Sequence, residues 1–319
     1  MSRYRARPID LSGLKTVSLF ERGGKVRAAD FAGVYEPGSG VKGWLASLPN
    51  ILAGESLPAA VEAIRKARER DKAILWGMGG HVIKCGLAPV LSDLAKRGFA
   101  TGFAMNGSAA IHDLEIALAG YTSEDVEAVL PDGRFGSAGE TGEELNRAIA
   151  EGDAAGIGIG EAIGARLQQQ ADPRFAPLSL LYEAYRLPVP ATVHVAIGTD
   201  TPHAHPAVQP AAIGSATHRD FRLFCTLVAG VNDGGVYINA GSAVVMPEVF
   251  LKALSAVRNL GYPLASFTTI TLDFLQHYRP RVNVIERPHV GSGGRGIALT
   301  GHHELMIPLL AAALIEGDC

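Results

Sequence analysis

Cysteine is scarce in this chain of 319 residues, and its three cysteines, Cys85, Cys225 and Cys319, lie far apart. Their positions match no metal-ligand spacing. An odd number of widely separated cysteines also argues against a disulfide framework. We therefore expect neither a cysteine-based metal motif nor a cross-linked fold.

Lysine is missing from most of the chain. Of the eight lysines, seven lie between Lys15 and Lys96, and Lys252 alone lies beyond them. A mechanism that needs a lysine nucleophile therefore has very few candidates in the C-terminal two-thirds of the sequence.

Long apolar runs and an excess of one charge are absent as well. No apolar stretch is long enough to span a bilayer, and the N-terminal residues MSRYRARPID lack the apolar core of a signal peptide. The 29 basic and 32 acidic residues give a net charge of −3, which favours neither nucleic acid nor an anionic membrane as a partner. We expect a soluble, cytoplasmic protein.

The composition and the order of apolar segments indicate an α/β protein. Hydrophobic residues make up 47% of the chain and charged residues 19%, as in globular proteins with much buried strand. Predicted strands at 73–76 and 99–105 alternate with predicted helices at 86–97 and 108–119, and a second such series follows from residue 189. This alternation favours a parallel sheet with helices on both faces. We predict an N-terminal arm or cap at residues 1–50 and one α/β domain at residues 51–319.

Four predicted strands end in small or polar residues. The exits are Gly77–His81, Asn106–Ser108, Gly198–Asp200 and Gly241–Ser242. In a parallel sheet all four lie on one edge, where open α/β sheets bind their ligands. Glycine and short polar residues are also common in ordinary strand-to-helix turns. Four exits together nevertheless favour an extended, phosphate-bearing ligand such as a dinucleotide.

A glycine repeat, Gly156-Ile157-Gly158-Ile159-Gly160, lies in a region that is predicted to be helical. A dinucleotide-binding glycine motif follows a strand, and no strand is predicted before this one. Close helix packing is therefore the preferred interpretation.

The ten histidines are unevenly distributed. His203 and His205 share a proline-rich loop, His112 precedes Asp113, and His302 is the first residue of a His-His-Glu segment. A catalytic metal needs three or four converging ligands, and the familiar zinc spacings are absent. Two other interpretations remain: histidines that line a cleft or cap helices, and general acid–base catalysis by His112 or His205.

An arginine-rich segment follows the last predicted strand-helix unit. Arg279, Arg281 and Arg287 could bind a carboxylate or a phosphate. A solvated loop or an oligomer interface explains the same residues equally well.

Five motifs, in this order and spacing, resemble those of the deoxyhypusine synthase family over roughly residues 60–315: WGMGGHVIKCG, MNGSAAIHDLE, GTDTPHAH, YINAGSAVV and HHELMIPLL. The resemblance implies a Rossmann-like α/β fold, bound NAD, and a homotetramer built from two dimers with active sites at the dimer interface. By the same resemblance, the positions on or near the cofactor are Gly80, His81, Lys84, Asn106, Gly107, Ser108, Asp200, Gly241, Ser242 and Asp273.

The departures from the family concern its reaction. The family forms an imine on a lysine near the Arg-Pro loop, whereas the segment here, RPRVNVIERPHVGSGG, contains no lysine. By the resemblance, His112 stands where the family has a glutamate after the second exit, and His205 stands where it has an aspartate that holds the polyamine's amine. Imidazoles cannot offset the charge of a polyamine, so we expect a different substrate.

These observations lead to one main hypothesis and two alternatives. The main hypothesis is an NAD-dependent enzyme for a small molecule, with NAD as a transient hydride acceptor in transferase or lyase chemistry. His112 and His205 form its acid–base pair, with His203 and Asp113 in support. The alternatives are a metal-dependent hydrolase or lyase that uses His112, His203, His205 and His302, and a non-catalytic NAD-binding module.

Overall fold

A six-stranded, entirely parallel sheet forms the centre of the computed structural model, which describes residues 3–316. The strands are β1 (Ile74–Met78), β2 (Gly102–Asn106), β3 (Ala191–His194), β4 (Val236–Ala240), β5 (Thr268–Asp273) and β6 (Arg295–Thr300). Their order across the sheet is β3-β2-β1-β4-β5-β6. This is the Rossmann order, in which the winding reverses between β1 and β4 and leaves a crevice at their carboxyl ends. The predicted fold class is confirmed.

Helices connect the strands and cover both faces of the sheet. The α-helices are α1 (Gly40–Ser47), α2 (Leu52–Glu69), α3 (Gly80–Lys84), α4 (Ala88–Lys96), α5 (Gly107–Ala119), α6 (Val126–Val129), α7 (Gly139–Ala155), α8 (Ile159–Gln170), α9 (Leu180–Arg186), α10 (Pro210–Ala229), α11 (Val245–Asn259), α12 (Tyr278–Pro280) and α13 (His303–Glu316). Short 3-10 turns lie at Ala28–Asp30, Leu130–Asp132, Ala176–Leu178, Thr201–Ala204 and Arg287–His289, and Arg281–Glu286 form a π-helical turn.

Successive strand residues point to opposite faces of the sheet, which divides the core in two. On one face Trp76 of β1 packs in a large cluster with side chains of α2, α4, α5 and α13. On the other face Leu75 and Tyr237 pack with α10 and α11, and the Tyr237 ring stacks on Phe250 at 3.9 Å between centroids. The two central strands, β1 and β4, are buried on both faces and are mostly apolar, as the sequence pattern indicated. In contrast, β5 contains three threonines and an aspartate, and β6 alternates exposed and buried residues.

The glycine repeat joins two helices. Gly156 ends α7 in the left-handed region with φ +77°, and Gly158 precedes α8. A Cβ at Gly160 would lie 2.1 Å from the carbonyl oxygen of Ala191, so glycine lets α8 contact the backbone of β3. Close packing, the preferred interpretation of this repeat, is confirmed.

Helix α2 starts earlier than the local sequence pattern indicates. Ser56-Leu57-Pro58 has the pattern of a helix start, yet α2 begins at Leu52 and Pro58 lies inside it. Ser56 does not cap the helix, since its hydroxyl donates to the carbonyl of Leu52 at 3.0 Å. Proline in the second turn removes one helical hydrogen bond, and burial of Leu57, Val61 and Ile64 along one side holds the helix together.

The segment before α1 is largely irregular. Apolar side chains such as Ile9, Phe20 and Val34 are exposed there. The following helix α1 packs on α13, and its Lys42 N–H donates to Glu316 at 3.1 Å.

The two described cysteines, Cys85 and Cys225, are free thiols, and Cys319 lies outside the described residues. No helix within residues 3–316 has the length and apolarity that crossing a bilayer requires.

Candidate functional site

The strand exits meet at one edge of the sheet, as predicted. The Gly79 N–H, just after β1, donates to the Ala240 carbonyl at 3.1 Å. A Cβ on Gly80 would lie 2.4 Å from the Ser108 hydroxyl, and one on Gly107 would lie 2.0 Å from the Asp200 carboxylate. The glycines at these exits are therefore needed for contact between neighbouring exits. Together they bring the ends of β1, β2 and β3 into one site.

A cavity of about 240 Å³ opens beside these exits, and we call it the His112 cavity. Three of its lining residues, Lys84, Ser108 and Asp200, belong to the predicted cofactor group. The full lining is Lys84, Ser108, Ile111, His112, Glu115, Ser123, Glu124, Val126, Phe135, Thr199, Asp200 and Thr201.

The His112 imidazole belongs to a chain of hydrogen bonds. Its Nδ1 lies 2.7 Å from the Thr122 hydroxyl oxygen, and that hydroxyl donates its hydrogen to Glu115. A hydroxyl has one hydrogen, so Thr122 must accept a hydrogen bond from Nδ1–H. In neutral His112 the proton therefore resides on Nδ1, and Nε2 carries the lone pair. This tautomer makes Nε2 available as a base.

Glu115 anchors the chain as a carboxylate. Its other oxygen accepts a hydrogen bond from the Thr141 hydroxyl at 3.1 Å. Burial raises the pKa of Glu115, but hydrogen bonds from His112, Thr122 and Thr141 outweigh burial, so this pKa lies below its usual range. Glu115 is thus ionised at neutral pH and accepts the Thr122 hydrogen.

A second cavity, of about 700 Å³, adjoins the first and contains both histidines of the proline-rich loop. We call it the His205 cavity. It shares Phe135, Thr199, Asp200 and Thr201 with the His112 cavity, so the two form one cleft. The structure thus brings His112, His203 and His205 to the same cleft, as the acid–base hypothesis requires.

The backbone fixes the tautomers of the two loop histidines. The Ala207 N–H donates to His205 Nδ1 at 3.1 Å, and the Gly198 N–H donates to His203 Nδ1 at 3.2 Å. Each neutral ring therefore carries its proton on Nε2. In this geometry His205 is a hydrogen-bond donor, which complements the base at His112.

Asp200 lies where the two cavities meet. Its side chain is 10% exposed, and one oxygen lies 3.9 Å from His203 Nε2. That oxygen, Oδ2, is buried and has no hydrogen-bond partner among the described residues. Burial raises the pKa of Asp200, and His203 opposes this effect. A buried acceptor without a donor is well suited to bind a ligand hydroxyl or amide.

Asp113, next to His112, is directed away from the cleft. It is fully buried, and its oxygens accept hydrogen bonds from the Ser179 hydroxyl and the N–H groups of Leu180 and Leu181 at 2.5, 2.7 and 3.0 Å. Asp113 therefore caps α9. Neighbouring helical residues differ by about 100° in direction, so His112 and Asp113 face different surroundings.

The predicted cofactor residues after β1, β4 and β5 form a second group. Gly241 follows β4 with φ +63°, and buried Ser242 accepts the Met246 N–H at 3.1 Å. Asp273 is buried at the end of β5, 3.7 Å from His303 Nε2. His81, after β1, packs edge-on against His303 with 5.4 Å between ring centroids. The residues predicted to bind the cofactor therefore lie along the whole carboxyl edge of the sheet. One of them, Ser242, already accepts a hydrogen bond at the start of α11.

Asn106 and His303 also have structural partners. The Asn106 side chain accepts the Ala109 N–H at 3.0 Å and caps α5. His303 Nε2 donates to the Leu272 carbonyl at 3.2 Å, which leaves its buried Nδ1 as an acceptor without a partner among the described residues.

The histidine cluster of the metal-dependent alternative does not converge among the described residues. Among residues 3–316, the group whose ligand atoms converge is His81, Cys85 and Glu304. His302 stacks on Phe274 with 5.8 Å between centroids instead of joining the other histidines. His302 follows β6, whereas His203 and His205 lie in the loop after β3. These two strands are at opposite ends of the sheet, so His302 lies far from the other two histidines.

The arginine-rich segment has local partners. Arg279 pairs with Glu248 at 3.2 Å, and Arg281 pairs with Glu286 at 3.1 Å. Arg287 donates to the Asn283 side chain at 2.8 Å. None of the three lines the cleft that is formed by the two cavities.

The sequence analysis did not identify the hydroxyls of Thr122 and Thr141 as part of the site. They come from loop and helix positions outside α5, and no motif marks them. Glu115 had a detectable signal, because it follows His112 by three residues on one helix and so shares its face.

The sequence matches no protein-family model and no curated protein. Among solved structures, unliganded AgrE is similar with a TM-score of 0.53 and 17% identity over 83% of this chain. The ternary complex of AgrE with ornithine and NAD+ has a TM-score of 0.52 and 15% identity over 82% of this chain. The chain spans about a third of AgrE, 34% and 32% in the two structures.

Two further solved structures have shorter chains. A LOR/SDH candidate from Methanococcus maripaludis S2 has a TM-score of 0.50 and 16% identity, and the match covers 82% of this chain and 70% of that one. A deoxyhypusine synthase candidate from Entamoeba histolytica has a TM-score of 0.49 and 12% identity, with 89% and 96% covered. The matches to AgrE and to the LOR/SDH candidate show that this chain has their Rossmann-like α/β fold.

Proposed function

We propose that this protein is an NAD-dependent enzyme that transforms a small molecule in the cleft formed by the His112 and His205 cavities. The observation that best supports this proposal is the chain of hydrogen bonds from Glu115 through Thr122 to His112. It leaves His112 Nε2 as a base on the cavity wall. The chemistry is a redox-neutral transferase or lyase reaction. We also propose a substrate other than a polyamine, because imidazoles occupy positions 112 and 205; the carboxylates that line the cleft are those of Glu115, Glu124 and Asp200.

The residues at the carboxyl edge fit a dinucleotide. The sheet order places the crevice beside β1 and β4. Two buried acceptors on this edge, Asp200 Oδ2 and His303 Nδ1, have no donor among residues 3–316. Ribose hydroxyls and a carboxamide can supply such donors, and Lys84 can offset a phosphate charge. The complex of the similarly folded AgrE with NAD+ supports the same cofactor. When bound, NAD would provide a transient hydride acceptor.

The residues of the cleft then divide the proton chemistry. His112 Nε2 accepts a proton from an O–H or N–H group of the substrate, and the Glu115 carboxylate offsets the new charge through Thr122. His205 Nε2–H donates a hydrogen bond to a carbonyl or leaving group. His203 and Asp200 orient the loop between them. Asp113 supports His112 only by holding α9 against α5.

We also propose a domain organisation, an oligomeric state and a location in the cell. We place residues 1–50 as an arm on a catalytic domain of residues 51–319, in a cytoplasmic homotetramer built from two dimers. The exposed apolar side chains before α1, including Phe20 and Val34, are consistent with an arm that packs on another subunit.

Turnover with a catalytic amount of NAD+ tests the proposal. Protein stripped of nucleotide is incubated with a metabolite panel that includes ornithine and arginine, with and without NAD+, and products are identified by mass spectrometry. We expect product only with NAD+, in excess over the nucleotide, because the hydride returns. Product that forms equally without NAD+ contradicts the proposal. Tight NAD+ binding without turnover of the panel or of whole cell extract favours the non-catalytic module instead.

A further inference from the structure

A compact set of metal-ligating side chains joins α3 to α13, apart from the His112 cavity. His81 and Cys85 are four residues apart, and the Cys85 N–H donates to the His81 carbonyl at 3.0 Å, so one helical turn places both on the same side. Glu304, in the first turn of α13, faces them. Their ligand atoms all lie within 4.8 Å of one another. We propose that His81, Cys85 and Glu304 bind one zinc-class divalent metal ion.

The distances are close to those of a zinc site. Tetrahedral zinc, with bonds of about 2.0–2.3 Å, separates its ligand atoms by roughly 3.3–3.8 Å. Cys85 Sγ lies 3.7 Å from the Glu304 carboxylate, which already meets this requirement. The exposed His81 side chain has to move by no more than about 1.5 Å to complete the set. His81 is oriented by ring contacts with His303 at 5.4 Å and Phe274 at 6.1 Å.

The donor types select the metal. Nitrogen and thiolate ligands favour zinc and neighbouring transition metals, whereas calcium and magnesium prefer oxygen alone. A thiolate and a carboxylate together neutralise the two positive charges of the ion. A fourth position remains for water or for His302, whose Nδ1 lies 3.8 Å from Glu304.

Metal binding has to displace a proton. Burial, followed by the nearby Glu304 carboxylate, raises the pKa of the Cys85 thiol, so the metal-free site is protonated at neutral pH. Binding exchanges the S–H bond for a metal–sulfur bond and releases one proton to solvent. A backbone hydrogen bond lowers the pKa of the Glu304 carboxyl, so this ligand is already ionised and releases no proton.

The position of the site gives it a structural consequence. α3 follows β1 and α13 follows β6, and β4 and β5 lie between these strands in the sheet. One ion would thus connect the two sides of the proposed cofactor crevice. Lys84, on the same short helix, lines the His112 cavity instead.

Cobalt titration of the reduced, tag-free full chain tests the proposal. We expect one cobalt ion per chain with a thiolate-to-cobalt charge-transfer band that zinc abolishes. The chain offers a matched pair: a C225S/C319S double variant keeps Cys85 as its single cysteine and should retain the band, while C85S should lose it. Loss of a direct ligand should weaken zinc binding by at least about 100-fold, since loss of an outer partner costs 10–100-fold. E304Q should also weaken binding.

Two results would overturn the metal site. One is a C85S spectrum identical to that of the wild type, which would place the cobalt elsewhere. The other is no zinc uptake by wild-type protein whose circular dichroism shows it to be folded. As an independent check, calorimetry in buffers of different ionisation enthalpy should show about one more proton released per zinc in wild type than in C85S. Neither readout depends on NAD or on turnover, so the outcome is separable from that of the proposed function.

Discussion

Replacing His112 with glutamine is expected to lower NAD-dependent turnover by about 10²–10⁴-fold, the usual contribution of a general base. NAD+ affinity should stay near that of wild type, because His112 serves the proton transfer. The assay is product formation at saturating NAD+. His218, an exposed histidine on α10, provides the matched control, and His218→Gln should retain full activity. A His112→Gln enzyme as active as the control would rule out His112 as the base.

Two neighbouring substitutions test the hydrogen-bond chain itself. Thr122→Val keeps the shape of the side chain but removes the hydroxyl between His112 and Glu115. Glu115→Gln should reverse the chain: its carbonyl stays with the Thr141 hydroxyl, and its amide then donates to Thr122, which turns its own hydrogen toward His112 Nδ1. The proton then moves to Nε2 and the base is lost. We expect turnover to fall by about tenfold or more in both variants, since general acid–base catalysis depends on the tautomer.

Nitrogen-15 NMR of the histidine side chains separates this mechanism from general damage. In wild type, His112 should show its proton on Nδ1, and in Glu115→Gln on Nε2. Loss of activity in Glu115→Gln with the wild-type tautomer unchanged would mean that the carboxylate acts in some other way.

Replacing Asp113 with alanine is expected to destabilise the fold by at least about 3 kcal/mol, because three buried donors lose their acceptor. These donors are the Ser179 hydroxyl and the N–H groups of Leu180 and Leu181. Urea unfolding followed by circular dichroism measures the change. Asp132, an exposed residue paired with Arg134, is the control, and its alanine variant should lose less than about 1 kcal/mol. A small effect of Asp113→Ala would show that α9 does not depend on this cap.

The difference in the free energy of unfolding between wild type and an Asp113 variant should change with pH in a defined direction. Burial raises the pKa of Asp113 from 3.8 to about 6, against the three hydrogen bonds that lower it. Between pH 3.8 and about 6 the folded protein therefore holds a proton that the unfolded chain has released. Raising the pH through this window favours unfolding. Relative to Asp113→Asn, which does not titrate, wild type should lose about 3 kcal/mol there and level off above about pH 6. A difference that is constant with pH would contradict the raised pKa.

Much of the fold was predictable from the sequence because burial on both faces leaves nearly continuous apolar runs in β1, β2 and β4. The errors have local causes. The first strand was predicted to end at Trp76, since Gly77 is typical of a turn, yet Gly77 lies within β1. A Cβ there would lie 2.3 Å from the Tyr237 hydroxyl, so a partner far along the chain requires glycine in mid-strand. Single-sequence patterns do not contain such distant contacts.

The candidate site was predictable where a strand exit specified it. Lys84, Ser108, His112 and Asp200 lie together because parallel strands end on one edge. The role of Asp113 was not predictable, since its partners lie 66 to 68 residues away at the start of α9. The proposed metal ligands share no local sequence pattern for the same reason, since Cys85 and Glu304 are 219 residues apart.

Calorimetric titration with NAD+ tests the central claim most directly, namely that NAD binds at the carboxyl edge of the sheet beside His112. Wild type should bind with a dissociation constant between about 1 μM and 1 mM, the usual range for enzyme ligands. Lys84→Met, which removes a charge from the His112 cavity, should bind about tenfold more weakly, the loss of one charge-assisted hydrogen bond. Lys72→Met makes the same substitution before β1, at the opposite edge of the sheet, and should bind as wild type does. Equal affinity of the two variants, or no binding to wild type at millimolar NAD+, would contradict the claim.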